Sequence, residues 1–229
     1  MKLSVIIPVY NERDTVELLL KRVEAAPYEK EIIFVDDAST DGTRELLTRL
    51  ARDYQDQVRL LLHQKNCGKG AAIRTAIEHV TGDIIIIQDA DLEYDPKDYS
   101  RLLEPIFDGH ADVVFGNRFH GGPHRVLYFW HYQGNRLLTT LCNMLTNLNL
   151  TDIEVGYKVF KTEVLQRLRL RSNRFSIEPE LTVKVAKLGC RIYEVPIAYH
   201  GRTYAEGKKI TWRDGLAALY FMIRFRLFD

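Results

Sequence analysis

The sequence predicts an α/β fold built on a doubly wound, mostly parallel sheet, and three features support that prediction. Short β-branched runs alternate with helical patterns four times in the first half of the chain. Most of these runs are continuously apolar, as expected of strands covered by helices on both faces. The polar motifs follow the runs directly, at the carboxyl ends of the strands, where ligands bind in sheets of this type.

Leu3–Val9 reads as the first strand, followed by Val16, Leu19, Leu20 and Val23 at helical spacing. Ile32–Val35 leads to Leu46, Leu47 and Leu50, and Val58–Leu62 leads to Ala72, Ile73, Ala76 and Ile77. Ile84–Gln88 precedes Tyr99, Leu102, Leu103 and Ile106, and Asp112–Phe115 is the fifth strand. The second half breaks this rhythm. Val126–Leu148 has the pattern of an amphipathic helix, with apolar residues at 137, 138, 141, 145 and 148. Tyr157–Phe160 and Arg191–Tyr199 read as strands on either side of a helix from Ile177 to Leu188, and Thr211–Leu227 is a closing helix. No repeat and no Pro/Gly/Ser linker divides the chain. It reads as one domain in which residues 1–115 form a ligand-binding half, 116–210 complete the site and 211–229 add a terminal amphipathic helix.

Composition is that of a globular protein: 229 residues, 46% hydrophobic and 28% charged. The balance of 32 Lys+Arg against 31 Asp+Glu argues against a nucleic-acid partner. From Gly201 onward there are six basic and three acidic residues, a charge of +3 against −2 for the first 200, which places any basic surface near the C-terminus. Cys67, Cys142 and Cys190 are scattered and form no CxxC pair, so neither a disulfide framework nor a cysteine metal site is expected. The N-terminal apolar run is too short for a signal peptide, and Leu216–Ile223, the longest apolar stretch, is too short to span a bilayer. The scattered cysteines make a reducing, cytoplasmic setting the simplest expectation.

The strongest local signal is the run from Gln88 to Glu93 after the strand IIII. Asp89 and Asp91 are two apart, so extended backbone projects both to one side, and Glu93 continues the alternation. Such oxygens suit a hard divalent cation carrying phosphate, although a solvated acidic turn has the same composition. Asp36 and Asp37 end the second strand, where Ser39, Thr40 or Asp41 can cap the next helix and Asp37 can accept hydrogen bonds from a base or ribose. Pro8, Tyr10 and Glu12 surround the end of the first strand, and Pro8 marks its boundary. In the run Asn66 to Ala72, Gly68 and Gly70 flank Lys69 without P-loop spacing; their amides either cradle an anion or form a plain turn. Arg118 and Arg125 are phosphate-contact candidates. Glu178 and Glu180 open a helix, where Glu178 reads as a partner of the helix dipole and Glu180 is open between that role and a functional one. The basic loop 201–209 could close over a diphosphate. The final helix carries Trp212, Leu216, Leu219, Tyr220, Ile223 and Leu227 on one face, with Arg213 and Arg224 together on a side, a pattern that suits either a membrane interface or a docked helix with a dimer contact.

VIIPVYNE, VDDASTDGT, NCGKGAA and DADLEYDP occur in an order and spacing that resemble the inverting family 2 glycosyltransferases of GT-A fold, over essentially the whole chain. GNRF, TDIEVGYKVF, FSIEPEL, EVPIAYHGRTYAEGKKI and WRDG are similar to the polyprenyl-phosphate hexose synthase branch that includes dolichyl-phosphate mannose synthase. The resemblance implies a Rossmann-like nucleotide-sugar-binding half continuous with an acceptor-binding half. It implies hexose transfer from GDP-mannose or UDP-glucose to a polyprenyl (dolichyl or undecaprenyl) phosphate, with Mg²⁺ or Mn²⁺. Pro8, Tyr10, Glu12 and Asp37 would hold the base and ribose, with Lys69 and Asp89 completing the pocket. Asp91, with Glu93 and Asp89, would bind the cation; Arg118 and Arg125 would meet the acceptor phosphate; Arg202 and Lys209 would cover the donor. Asp91, Arg118 and Asp152 are the residues expected at the chemistry, Asp152 or Glu180 serving as base if the acceptor is a hydroxyl. The implied location is the inner membrane face, held through the last helix, with a homodimer as that helix's other use. Two readings compete: hexose transfer to a hydroxyl of a polysaccharide or cell-envelope glycan, and a nucleotide-sugar sensor without turnover. The Q-x-x-R-W signature of processive synthases is missing from the sequence.

Overall fold

The computed structural model describes residues 1–207 and 212–228. Its sheet has seven strands: β1 (Leu3–Val9), β2 (Lys30–Asp36), β3 (Val58–Leu62), β4 (Ile84–Ile87), β5 (Val113–Asn117), β6 (Lys158–Lys161) and β7 (Ile192–Pro196). Their spatial order is β3-β2-β1-β4-β6-β5-β7. All neighbours run parallel except β6, which is antiparallel to both β4 and β5. The helices are α1 (Val16–Glu24), α2 (Thr43–Asp53), α3 (Lys69–Ile77), α4 (Tyr99–Phe107), α5 (Phe129–Thr146), α6 (Thr162–Gln166), α7 (Ile177–Lys187) and α8 (Trp212–Phe228).

The expected mostly parallel α/β sheet is present, and its central strands are apolar on both faces. Ile84, Ile85, Ile86 and Ile87 are all buried, as are Val5, Ile6 and Ile7 beside them. Each such side chain is worth roughly 1.5–3 kcal/mol of transfer free energy. Pro8 sits in a central strand without breaking a ladder. The pairing of β1 with β4 ends at Ile6 and Ile87, so at Pro8 only β2 remains alongside.

The second half departs from the sequence expectation. The sequence assigns no direction to the strand expected at 157–160; in the structure α5 packs on α7 and α8 instead of crossing the sheet. The chain therefore re-enters from the end at which β5 left it, and β6 must run backwards. The helix expected over 126–148 begins only at Phe129 and ends at Asn147, whose left-handed backbone (φ 58°) stops it. The expected strand 191–199 is limited to Ile192–Pro196; the Ile197 amide makes one more bond, to the carbonyl of Asn117, where β5 itself ends. Helix α6 was not legible in the sequence pattern.

Candidate active site at the carboxyl ends of the strands

The carboxyl ends of β1, β2 and β4 converge, and each is followed by a residue with left-handed backbone: Asn11 (φ 52°), Ala38 (φ 62°) and Leu92 (φ 63°). That conformation is costly for alanine and leucine, and such strain concentrates at functional edges. At Leu92 it reverses the chain. Glu93 therefore does not continue an extended alternation past Asp91, as the sequence suggested; its amide turns back to donate to Asp91 Oδ1 at 3.1 Å.

On the β2 side, Asp37 is fully engaged. Its Oδ1 accepts from the Cys67 amide (2.8 Å) and lies 2.7 Å from His63 Nδ1, while Oδ2 accepts from the Gly68 amide (2.7 Å). His63 Nε2 lies 2.9 Å from Thr75 Oγ1. The anion held by the amides of the glycine loop is thus the protein's own carboxylate. Gly68 and Gly70 are required there because a side chain on either would collide with the backbone carbonyls of Asn173 and Ser172. Asp36 pairs with Arg44 at 2.6 Å, and Tyr10 stays half-exposed at the rim.

Lys69 opens α3 and bridges two carboxylates, with Nζ 2.7 Å from Asp89 Oδ1 and 2.7 Å from Glu178 Oε1. Burial opposes its charge, but Asp89 and Glu178 hold its ammonium well above the usual lysine range. Glu178, read from sequence as a helix-dipole partner, does lie in the first turn of α7 and is also buried against this lysine; only the fold brings residues 69 and 178 together.

Asp91, Glu93 and Glu12 surround the guanidinium of Arg202. Nη2 lies 3.0 Å from Asp91 Oδ2 and 3.2 Å from Glu12 Oε1, Nη1 lies 3.2 Å from Glu12 Oε2, and the Arg202 amide donates to Glu93 Oε1 at 2.8 Å. Burial, with Asp89 and Glu93 nearby, pushes the Asp91 carboxyl up to about 7 against the pull of Arg202. An all-carboxylate cluster in which one member resists ionisation fits a hard divalent cation, which would relieve that repulsion. Asp89, Asp91 and Glu93 are the residues that would hold it. Among the described residues, the one His/Cys/Asp/Glu group whose ligand atoms already lie within 4.8 Å of one another is Asp37, His63 and Cys67. The bonds of Asp37 and His63 given above commit that group to holding the glycine loop.

Arg118, after β5, forms a two-pronged pair with Asp152, Nε to Oδ2 at 2.6 Å and Nη2 to Oδ1 at 2.7 Å. Asn135 Nδ2 donates to the same Oδ1 at 2.9 Å. Burial opposes ionisation of Asp152, but Arg118 wins and holds its carboxyl below the usual range. The Arg118 guanidinium lies 5.2 Å from the Tyr199 ring centre, and the Tyr199 hydroxyl donates to Glu93 Oε2 at 3.0 Å. One tyrosine therefore separates the acidic cluster from the fixed cation. Arg125 lies farther out, with Nη1 2.8 Å from Glu206 Oε2 and 3.2 Å from the Gly201 carbonyl.

Behind these groups lies a charged core that the sequence did not reveal. Burial, then Glu178, pushes the Glu154 carboxyl up to about 7, and burial draws the Lys158 ammonium down to about 8. Lys158 Nζ donates to the Ile153 and Val155 carbonyls at 3.0 and 2.5 Å. Of the sequence-derived site residues, Glu12, Asp91, Glu93 and Arg202 meet in one cluster, and Lys69 joins Asp89. Arg118 and Asp152 pair, and Arg125 stands at the rim. Lys209 lies outside the described residues. Glu154, His63 and Tyr199 carry no signal in the sequence, because each acquires its role from a contact made by the fold, and for Glu178 the sequence signals the helix start but not the contact with Lys69.

Residues 4–169 match the glycosyl transferase family 2 profile. The chain is 33% identical over 251 aligned positions to the undecaprenyl-phosphate mannosyltransferase of Micrococcus luteus, covering 99% of each. It is 30% identical over 199 residues to the glycosyltransferase AglJ of Haloferax volcanii, covering 86% of this chain and spanning 63% of that relative's length. Among solved structures, glucosyl-3-phosphoglycerate synthase of Mycobacterium tuberculosis, in complex with Mn²⁺, uridine diphosphate and phosphoglyceric acid, matches with a TM-score of 0.75 at 19% identity, over 99% of this chain and 77% of that one. That likeness is one of fold, and the fold is GT-A. With its strand-end motifs assembled into one site and the profile matched over most of its length, the chain belongs to glycosyl transferase family 2.

Proposed function

We propose that the protein transfers a hexose from a nucleotide sugar to a polyprenyl phosphate, with a divalent cation at Asp91, Asp89 and Glu93. The observation that carries this reading concerns the two carboxylates that the sequence offered as general bases. Both oxygens of Asp152 are taken by Arg118 and Asn135. Both oxygens of Glu180 accept backbone amides, from Arg171 at 2.8 Å and Ser172 at 2.7 Å, with Lys184 2.9 Å away. Neither is poised to take a proton from a hydroxyl. A phosphate acceptor is already anionic and needs no base, which favours it over a glycan hydroxyl.

The reaction in this reading is a single in-line displacement at the anomeric carbon, with inversion. A bound cation supplies positive charge to the departing nucleoside diphosphate. Asp152 holds the Arg118 fork so that a permanent positive charge faces the acceptor phosphate, and Tyr199 keeps it apart from the acidic cluster. Lys69 holds Asp89 in place. The undecaprenyl-phosphate mannosyltransferase of Micrococcus luteus supports the acceptor class and favours mannose as the sugar.

A lipid acceptor requires access to a bilayer. Trp130, Leu137 and Met144 recur every seven residues on α5 and are 79%, 61% and 77% exposed, while α8 exposes Leu216, Tyr220, Ile223 and Leu227. Among the described residues no helix is long and apolar enough to cross a membrane. These two packed helices suit docking on the membrane surface, with the catalytic half outside it. The deciding experiment is incubation with labelled GDP-mannose or UDP-glucose, undecaprenyl phosphate and Mn²⁺. Label entering the organic phase, and its loss on adding EDTA, is the expected result; label confined to aqueous product rejects the lipid acceptor.

A further inference from the structure

The segment 201–206 touches both halves of the site with charges opposite to those it faces. Arg202 places one guanidinium among Glu12, Asp91 and Glu93, where the proposed cation would sit. Four residues on, Glu206 Oε2 lies 2.8 Å from Arg125 Nη1 and accepts the Thr203 amide at 2.7 Å. A 3-10 turn, Tyr204–Glu206, links the two contacts, and its capping box ties Thr203, the neighbour of Arg202, to Glu206. Tyr204 adds a third attachment, its hydroxyl 3.2 Å from His131 Nε2 on α5.

We propose that this segment is an internal competitor for both ligands: Arg202 occupies the carboxylates in place of the cation, and Glu206 occupies Arg125 in place of the acceptor phosphate. The acceptor half of this inference rests on the polyprenyl-phosphate reading; the cation half does not. Each ligand displaces one end of the same short strap. Entry of a cation and diphosphate at the Arg202 end strains the turn and frees Arg125, so donor binding strengthens acceptor binding by the contact it breaks. Linkage makes that effect reciprocal. The strap also keeps the acidic cluster neutralised before the donor arrives, at the cost of weaker affinity for the bare metal.

Three measurements test this. Electron paramagnetic resonance of Mn²⁺ alone with the free protein should give about tenfold tighter binding for Arg202→Gln than for the parent; equal or weaker binding overturns the cation half. In the unaltered protein, millimolar Mn²⁺ should accelerate tryptic cleavage after Arg202 relative to other sites, a readout that stands if the variant folds poorly; unchanged cleavage overturns the same half. Calorimetry with farnesyl phosphate, without nucleotide, should show at least fivefold tighter binding to Glu206→Gln. Equal binding to both proteins overturns the strap, whereas binding to neither overturns the acceptor class and leaves the Mn²⁺ result to stand for Arg202.

Discussion

Gly156 lies against Asp89 so closely that a β-carbon at residue 156 would run into Asp89 Oδ2 and come within 3.0 Å of the Tyr94 ring. Gly156→Ala should therefore displace Asp89 from Lys69 and lower turnover roughly 10- to 100-fold, the scale of a 1 Å misplacement. Gly134, with nothing within 4 Å of a β-carbon, is the control. Gly134→Ala in α5 should leave turnover unchanged and add about 0.5–1 kcal/mol of stability. Steady-state kinetics and urea melts of the two variants check the pair.

Asp91→Asn should remove turnover by roughly 100-fold or more, since it deletes charge from the cluster proposed to hold the cation. Its melting temperature at pH 8 should not fall below that of the parent, because the lost carboxylate is one that burial and its neighbours resist ionising. Near-normal turnover with Mn²⁺ present would refute the role given to Asp91.

Arg118 and Asp152 should behave as a unit in stability. Arg118→Met strands a buried carboxylate and should cost about 3–5 kcal/mol in urea unfolding. Adding Asp152→Asn should recover much of that loss, while activity stays low in both variants. Additive losses in the double mutant would mean that the two side chains contribute independently.

Glu154 sets a pH dependence with a definite sign. Its folded pKa, about 7, exceeds the ordinary glutamate value of 4.5, so the native state binds the extra proton between those limits. Its contribution to stability is complete below about pH 4.5 and is lost as the pH rises through 7. Glu154→Gln keeps the shape without the charge. The melting-temperature difference, variant minus parent, should grow from pH 5 to pH 8; a constant difference would disprove the assignment.

Trp130 and Leu137 should report membrane attachment without touching chemistry. Replacing both with serine should reduce co-sedimentation with anionic phospholipid vesicles at least fivefold, while turnover with a water-soluble short-chain acceptor persists. If the double variant instead changes the oligomeric state and leaves vesicle binding intact, the exposed stripe joins two copies of the chain.

The parallel part of the sheet and the residues at its strand ends were legible because each motif is local. Pro8 lies next to the last residue of β1, Asp37 directly follows β2, and Asp89 and Asp91 follow β4 within four residues. What escaped was set by pairing across the fold. Glu178 joins Lys69 from 109 positions away. Tyr199 reaches Glu93 across 106. The backward direction of β6 follows from where α5 packs, which no periodicity encodes. At Glu93, a single left-handed leucine overrode the extended spacing.

Strand β6 has a consequence for any attempt to divide the protein. It is the sole ladder partner of β4 on one side and of β5 on the other. Truncation after Asn117 would strip β4 of that neighbour and leave Ile84–Ile87 as a naked isoleucine edge, inviting aggregation. The halves are consequently poor building blocks for chimaeras, and grafting a new acceptor specificity onto this scaffold should exchange surface segments while leaving the Lys158–Lys161 ribbon in place.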